Sequence, residues 1–115
     1  MQRRNRMTVK ELVSLPDFSE IQLTSPDREI TGAYAGDLLS WVMSRAQSDC
    51  AWLTIMSNVN VLAVATLADV SCVIFTEGVV PDAEIISVAK EKDVNLVSTK
   101  LPIYEACLML GGALK

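Results

Sequence analysis

Three short and almost wholly apolar runs recur along this 115-residue chain at intervals of about 20 residues, at 51–56, 71–75 and 94–97. Runs of this kind are typical of strands that are buried on both faces. Each is followed by polar or turn-forming residues and then by a helical pattern, at residues 59–67, 82–92 and 102–113. Strands that alternate with helices are joined by crossovers, so the sequence predicts an α/β fold. We expect a compact three-layer domain with flanking helices and a mainly parallel sheet of about four to five strands.

The N-terminal part of the chain adds weaker signals. Thr8 and Glu11 have the spacing of a capping box, which predicts a short helix from about residue 8. Residues 20–25 alternate apolar and polar side chains, which predicts a strand with one exposed face. A small-residue turn is predicted over residues 32–36, and Asp37 is predicted to cap the helix that follows. The apolar stripe of that helix comprises Leu38, Leu39, Val42, Met43 and Ala46.

The charge distribution separates the first six residues from the rest of the chain. The net charge is −4, yet Arg3, Arg4 and Arg6 all lie at the start, and without them 7 basic residues face 14 acidic ones. We therefore expect a disordered basic stub over residues 1–6 and a single domain over residues 7–115. A domain this acidic binds polyanions poorly, which argues against a nucleic-acid partner.

The apolar content of the chain bears on its oligomeric state. Half of the residues are apolar and the mean hydropathy is +0.32, which is high for a small soluble domain. An excess of apolar surface favours a homodimer, and the alternative is a helix-rich interior that uses many alanine and valine residues. Trp41 lies on the flank of its helix, away from the apolar stripe. Because tryptophan is enriched at interfaces, we expect Trp41 at the dimer contact.

The cysteines indicate a reducing compartment and argue against a metal site. Cys50, Cys72 and Cys107 are odd in number and widely spaced, and the chain has no histidine. This pattern does not fit a zinc site, and it favours buried free thiols in the cytoplasm. We predict no metal and no cofactor.

One uncharged segment, residues 50–68, approaches the length that spans a membrane. Polar side chains interrupt its centre at Ser57, Asn58 and Asn60, where they would be costly in hydrocarbon. A strand followed by a helix explains the segment better, so no membrane partner is predicted.

The carboxyl ends of the predicted strands mark the candidate binding site, because ligands of open α/β sheets sit outside those ends. The candidate ligand-binding residues are Arg28, Gly32, Tyr34, Gly36, Asp37, Asn58, Thr76, Glu77 and Thr99. The alternative is that strand-to-helix loops need caps and turn formers, so small polar residues occur there without a ligand. The glycine segment lacks the endings of both common phosphate-binding motifs, so an anion would have to use Arg28 or Lys100.

The residues do not form a recognisable catalytic group. Without histidine, a general base would have to be a carboxylate, a lysine or a tyrosine. Asp37 and Glu77 are the carboxylates at the predicted edge of the sheet, and neither has an activating companion by spacing. We therefore predict that the chain is not an enzyme, and the alternative is a cryptic activity with Glu77 or Asp37 as base.

The order and spacing of many short segments resemble those of the DRTGG-domain family over residues 8–113. The segments that carry the resemblance are Asp27-Arg28, Gly32, residues 34–40, 42–43, 52–55, Asn58, residues 63–65, 67–69, Ile74, Gly78, residues 81–82 and 96–99. The family often has a second glycine where this chain has Ala33. If that position required a positive φ, the alanine would be strained there.

The resemblance implies a small α/β domain similar to the N-terminal domain of HPr kinase/phosphorylase. Domains of the family are regarded as regulatory, they associate as dimers, and they occur beside nucleotide-sensing modules. The resemblance therefore favours a non-catalytic regulatory or ligand-sensing domain that acts as a homodimer. Two alternatives stay open: a small-molecule binder of the nucleotide type that uses the carboxyl edge of the sheet, and a protein-interaction scaffold.

Overall fold

A computed structural model describes residues 6–114 of the chain. Its elements, in chain order, are β1 (Met7–Thr8), α1 (Val9–Val13), β2 (Ser19–Gln22), β3 (Glu29–Ile30), β4 (Gly32–Ala35), α2 (Leu39–Arg45), β5 (Cys50–Thr54), α3 (Asn60–Ala68), β6 (Cys72–Phe75), α4 (Ala83–Glu91), β7 (Leu96–Ser98) and α5 (Ile103–Ala113). The three apolar runs and the helices after them therefore form β5 to β7 and α3 to α5, close to the predicted bounds.

The main sheet has five strands in the order β2-β7-β6-β5-β4. Its last four strands are mutually parallel, and β2 pairs with β7 in the antiparallel direction at one edge. The two remaining strands, β1 and β3, form a separate antiparallel ribbon. The mainly parallel sheet predicted from the sequence is confirmed.

Two apolar layers cover the two faces of the sheet. Strands β5 and β6 are buried at every residue, and their side chains alternate between the faces. Trp52 and Phe75 point into the layer under α2, α3 and α4, whereas Leu53 and Ile74 point into the layer under α1 and α5. This arrangement confirms the three-layer architecture.

The ends of several helices are fixed by short-range chemistry. At α1 the predicted capping box is present: the Glu11 N–H donates to Thr8 Oγ1 at 3.1 Å, and the Thr8 N–H donates to Glu11 Oε1 at 2.8 Å. Asp82 caps α4 by accepting from the Ile85 N–H at 3.0 Å. Pro102 lies at the N-cap of α5, directly before the helix, where its missing N–H costs nothing.

The ends of α3 and α4 share one geometry. Asp69 follows α3 and Asp93 follows α4, and both have left-handed backbones, with φ of 57° and 58°. A valine comes next in each case, and its N–H donates back to the carbonyl five residues earlier, at 3.2 Å for Val70 and 2.9 Å for Val94. This is the Schellman arrangement, in which a left-handed residue ends the helix and a buried apolar residue follows it.

The glycine-containing segment corrects the sequence analysis. We expected residues 32–36 to form a turn between the strand at residues 20–25 and a helix. Instead, Gly32–Ala35 is strand β4, and β2 lies at the opposite edge of the sheet. The parallel pairing of β4 with β5 outweighs the weak intrinsic strand preference of glycine and alanine. Ala33 is paired with Ala51 within this strand, and it is not among the residues with positive φ.

The prediction for α2 was also wrong in two respects. Leu38, not Asp37, occupies the N-cap, and it has an extended backbone. In addition, Leu38 and Met43 are exposed, while Val42 is the fully buried residue of the predicted apolar stripe. Because α2 lies beside an edge strand, the sheet and its neighbouring helix cover only a narrow face of it.

The cysteine prediction is confirmed for two of the three thiols. Cys50 and Cys72 are free and buried, and burial raises the pKa of both thiols above the ordinary value. Cys107 is also free but only half-buried, because it lies on the side of α5. No helix among residues 6–114 is long and apolar enough to cross a membrane.

The predicted basic stub lies almost entirely outside the described residues. Arg6 is described, and its guanidinium lies 3.4 Å from the carboxylate of Glu29. The ribbon of β1 and β3 that follows was not predicted, since strands of two residues leave no periodic pattern in the sequence.

Candidate functional site

Four parallel strands end at one edge of the sheet, which we call the carboxyl edge. Asp37 follows β4, Asn58 follows β5, Thr76 and Glu77 follow β6, and Thr99 follows β7. The structure therefore brings these five predicted residues to a common edge, as parallel strands require. Their side chains differ in what they do there.

Asp37 connects the ends of two neighbouring strands. Its Oδ1 accepts from the Thr54 hydroxyl at 2.6 Å and from the Ile55 N–H at 3.0 Å. The Thr54 hydroxyl oxygen also accepts from the Met56 N–H at 3.1 Å. The carboxylate thus holds the loop after β4 against the end of β5, which explains why it does not cap α2.

Packing explains why residue 36 is a glycine. The Trp52 indole N–H donates to the Gly36 carbonyl at 2.8 Å, which fixes the chain just before Asp37. A Cβ on Gly36 would lie 3.0 Å from the Tyr34 ring, whereas a Cβ on Gly32 would have no neighbour within 4 Å. Tyr34 itself is partly buried and packs against the core. Close approach of the ring, not a ligand, accounts for the glycine at position 36.

Glu77 begins a tight loop after β6. Glu77 and Gly78 both have positive φ, at 60° and 74°. Their N–H groups donate to the carbonyls of Leu101 at 2.9 Å and Thr99 at 3.0 Å, which ties this loop to the one after β7. The Glu77 Oε2 accepts from the Ile103 N–H at 3.3 Å, at the first residue of α5. Glu77 therefore supports the start of α5.

Thr76 has an unusual hydroxyl. Its side chain is fully buried, and Oγ1 has no hydrogen-bond partner among residues 6–114. The register of β6 and β7 continues past Phe75 and Ser98, which places Thr76 beside Thr99. The hydroxyl of Thr99 is occupied, since it accepts from the Leu101 N–H at 3.2 Å. A buried polar atom without a partner is uncommon and marks this point of the carboxyl edge.

A cleft of about 310 Å³ opens beside the end of β7. The residues that line it include Asp17, Ser19, Ser98, Thr99 and Lys100. The size is at the lower limit for a small-molecule site, so the cleft suits part of a ligand better than the whole of one. Hydroxyl groups and the Lys100 ammonium provide hydrogen-bond donors in this cleft.

Asn58 lies apart from this cleft, after β5. Its Oδ1 accepts from the Asn60 N–H at 2.9 Å, which starts α3 through a side-chain turn. The interpretation of Asn58 as a turn former is therefore sufficient to explain it.

Arg28 does not lie with the other predicted residues. Its guanidinium is 3.0 Å from Asp49 Oδ1 and 2.8 Å from Asp69 Oδ1, and it donates to the Asp69 carbonyl at 2.6 Å. Asp49 precedes β5 and Asp69 lies shortly before β6, so this cluster is at the amino edge of the sheet. Because β2 runs antiparallel to the other strands, it ends at this edge and the segment that follows carries Arg28 along it, which the local sequence around Arg28 does not indicate.

The charges of the Arg28 cluster stabilise one another. Burial alone would lower the pKa of Arg28, but hydrogen bonds to Asp49 and Asp69 outweigh it and raise the pKa. A hydrogen bond from Ser48, together with that from Arg28, lowers the pKa of Asp69 below its ordinary value of 3.8. Nearby, hydrogen bonds from Thr24 and Ser25 lower the pKa of Asp93.

These shifts predict a loss of stability in acid. A carboxylate with a lowered folded-state pKa stabilises the fold above its unfolded-state pKa, and this contribution is lost as pH falls through the folded-state value. We expect the free energy of unfolding to fall below about pH 4. Asp69→Asn should reduce the pH dependence, and asparagine tolerates the left-handed backbone. Urea unfolding between pH 2.5 and 7 measures the pH dependence of the free energy of unfolding. An equal reduction of this pH dependence in Asp17→Asn, which changes an exposed carboxylate, would contradict its assignment to the Arg28 cluster.

Trp41 is exposed on α2, as predicted for an interface residue. The Arg45 guanidinium stacks on its ring, 3.7 Å from the centroid. Leu38, Trp41 and Arg45 recur at helical spacing on one side of α2, and we call these three residues the α2 flank. Arg45 also lines a groove of about 280 Å³ along β4, together with Gly32 and Tyr34. The groove was not predicted, because it depends on β4 being an edge strand.

Comparison with known proteins supports the fold. No protein-family model and no curated protein matches the chain. A similar solved structure is that of the CBS and DRTGG domains of the regulatory region of Clostridium perfringens pyrophosphatase, in complex with the activator diadenosine tetraphosphate. The TM-score is 0.55 at 17% sequence identity, over 69% of this chain and 34% of that chain. The chain spans about a third of the length of that structure, and at this identity the likeness shows a similar fold.

Proposed function

We propose that this chain is a non-catalytic regulatory domain that senses a small ligand and acts as a homodimer in the cytoplasm. The observation that carries the proposal is the fold, which is similar to a regulatory region whose structure contains a nucleotide activator. The free, buried thiols of Cys50 and Cys72 are consistent with a reducing compartment.

The bonding of the two carboxylates at the carboxyl edge supports a non-catalytic role. Asp37 accepts two hydrogen bonds that join β4 to β5, and Glu77 accepts one from the first N–H of α5. Each carboxylate thus has a structural role in holding a loop in place, and this role accounts for its position without a catalytic one.

The carboxyl edge supports the ligand-sensing part of the proposal. Within the described part of the chain the buried Thr76 hydroxyl lacks a partner, and the cleft at the end of β7 is lined by Ser98 and Lys100. A nucleotide-type ligand could place one phosphate beside Lys100, while Asp17 and Glu77 would repel further negative charge. An alternative function, a protein-interaction scaffold, is supported by the exposed apolar side chains of the α2 flank.

Native mass spectrometry of gently purified protein, followed by thermal unfolding with a nucleotide panel, tests the proposal. We expect a dimer, and stabilisation of about 2.7 kcal/mol at a ligand concentration of 100 times Kd. The panel includes mononucleotides and diadenosine tetraphosphate. Lys100→Ala should reduce the stabilisation, whereas Lys90→Ala, which removes an exposed lysine of α4, should not.

Each part of the proposal has its own contrary result. A monomer at micromolar concentration would contradict the homodimer. A dimer that shows no thermal shift with any nucleotide at millimolar concentration would contradict nucleotide sensing and favour the scaffold. If Lys100→Ala and Lys90→Ala change the stabilisation by nucleotide equally, the cleft is not part of the proposed ligand site.

A further inference from the structure

The two edges of the sheet differ in how they are protected. An edge strand offers unpaired N–H and C=O groups to any other strand, and proteins usually block such pairing with charge or irregularity. Strand β2 carries the exposed Glu20, and its register with β7 shifts between Glu20 and Gln22. Strand β4 has neither feature, and residues 30–36 contain no charged side chain.

Strand β4 has backbone N–H and C=O groups on its open side, which is the side away from β5. Just past the strand, the Gly36 N–H donates to the Leu53 carbonyl at 3.1 Å, toward β5. Because the direction alternates along a strand, Gly32 and Tyr34 also face β5, and the N–H and C=O groups of Ala33 and Ala35 point away from it. Ala33 and Ala35 are exposed and small, so their side chains do not obstruct an approaching strand.

We propose that β4 pairs with β4 of a second copy of this chain, antiparallel about a two-fold axis, to form one continuous sheet. This inference rests on the proposed homodimer and specifies its surface. Pairing centred on Ala33 sets Ala33 of one copy opposite Ala33 of the other, so the outward N–H and C=O groups of the two alanines bond each other. The same patch then serves both copies, as a two-fold interface requires.

The α2 flank extends the proposed contact. An axis perpendicular to the sheet keeps each layer on its own side, so the two α2 helices approach each other above the paired strands. The groove along β4, which Arg45 lines, marks the side of α2 that faces this edge. Leu38 and Trp41, both exposed in one copy, would be covered in the dimer.

The charges on this surface are compatible with self-association. Antiparallel α2 helices place the two Arg45 side chains at opposite ends of the contact. Each Arg45 then approaches the start of the other helix, which follows the acidic residue Asp37. Opposite charges therefore meet across the axis, and like charges are kept apart.

The test introduces charge at the centre of the proposed pairing. In Ala33→Lys two lysines would face each other across the axis, and we expect the dimer dissociation constant to rise at least about tenfold. Ser19→Lys adds the same charge to the β2 edge and should leave the dimer unchanged. Mixing Ala33→Lys with Ala33→Glu should restore a dimer. Sedimentation velocity measures association, and circular dichroism shows whether each variant is folded.

A cross-link provides a second measurement should a charged variant fail to fold. Opposed residues of a hydrogen-bonded antiparallel pair have Cα atoms about 5.5 Å apart, within the range for a disulfide. In a Cys107→Ser background, Ala33→Cys treated with the oxidant diamide should form a covalent dimer. Ser19→Cys should remain monomeric on a denaturing gel.

The outcomes separate this inference from the proposed function. A wild-type monomer would overturn both. A wild-type dimer that persists in Ala33→Lys and does not cross-link through Ala33→Cys would overturn the strand pairing alone. A dimer lost in Trp41→Asp but kept in Ala33→Lys would assign the contact to α2 and likewise overturn the strand pairing.

Discussion

Replacing Asn95 by alanine is expected to lower the free energy of unfolding by roughly 3–5 kcal/mol, the largest effect of any substitution we consider. Asn95 lies just before β7, and only 2% of it is exposed. Its Oδ1 accepts from the N–H groups of Thr24 and Ser25, both at 3.0 Å. Its Nδ2 donates to the carbonyls of Ser25 at 2.9 Å and Ser71 at 3.0 Å.

The size of the effect follows from what the substitution leaves behind. One amide group serves four backbone groups from two other segments, so alanine would leave the N–H groups of Thr24 and Ser25 and the Ser71 carbonyl without this partner. The Ser25 carbonyl would keep the Arg28 N–H at 3.2 Å. Each unsatisfied buried group costs about 1–3 kcal/mol, and some regain water as the loop relaxes. The variant should also loosen the segment after β2, whose hydroxyls would then be held by Asp93 alone at the exposed surface.

Asp93→Asn is the matched control for Asn95→Ala. Asp93 bonds the hydroxyls of Thr24 and Ser25 from an exposed position, and asparagine tolerates its left-handed backbone. We expect a change of less than about 1 kcal/mol. Urea denaturation at pH 7 gives both values, and a similar loss in the two variants would show that the buried amide has no special role.

Replacing Trp52 by phenylalanine is expected to cost about 2–4 kcal/mol. Trp52 is completely buried in β5, and its indole N–H donates to the Gly36 carbonyl. Phenylalanine is smaller and has no N–H, so the substitution leaves a cavity and an unpaired carbonyl. The end of β4 should then be less firmly held, together with Asp37 beside it.

The same substitution at the other tryptophan is the control. Trp41 is 50% exposed on α2, so Trp41→Phe should change the free energy of unfolding by less than about 1 kcal/mol at a fixed protein concentration. Thermal and urea unfolding of the two variants compare a buried indole with an exposed one. If Trp52→Phe unfolds like the wild type, the indole does not hold the end of β4.

The central part of the fold was predictable because its signal is strong and local. Strands β5 to β7 are buried on both faces, so nearly every residue in them is apolar, and helices with turn residues separate them. Strand β4 could not be predicted in this way. Its four residues are Gly-Ala-Tyr-Ala, and they form a strand only because β5 offers a partner.

The candidate site was predictable in position and not in chemistry. The order of parallel strands was enough to place Asp37, Thr76, Glu77 and Thr99 at one edge. The partners of these residues come from other loops: Asp37 bonds the end of β5, and Glu77 bonds the start of α5. Arg28 was grouped wrongly because its partners, Asp49 and Asp69, are 21 and 41 residues away. Contacts at such separations leave no trace in local spacing.

The shared geometry at the ends of α3 and α4 has a consequence for how this fold can diversify. Asp69 and Asp93 have left-handed backbones, and a buried valine follows each of them. The backbone conformation itself therefore sets the number of residues between each helix and the next strand. An insertion at either junction would break the reversal and shift the next strand out of register. The loops at the carboxyl edge are not built on one repeated turn, and individual contacts such as those of Asp37 and Glu77 hold them instead. The repeated turns at the amino edge therefore preserve the architecture, and we expect new binding specificity to arise at the carboxyl edge.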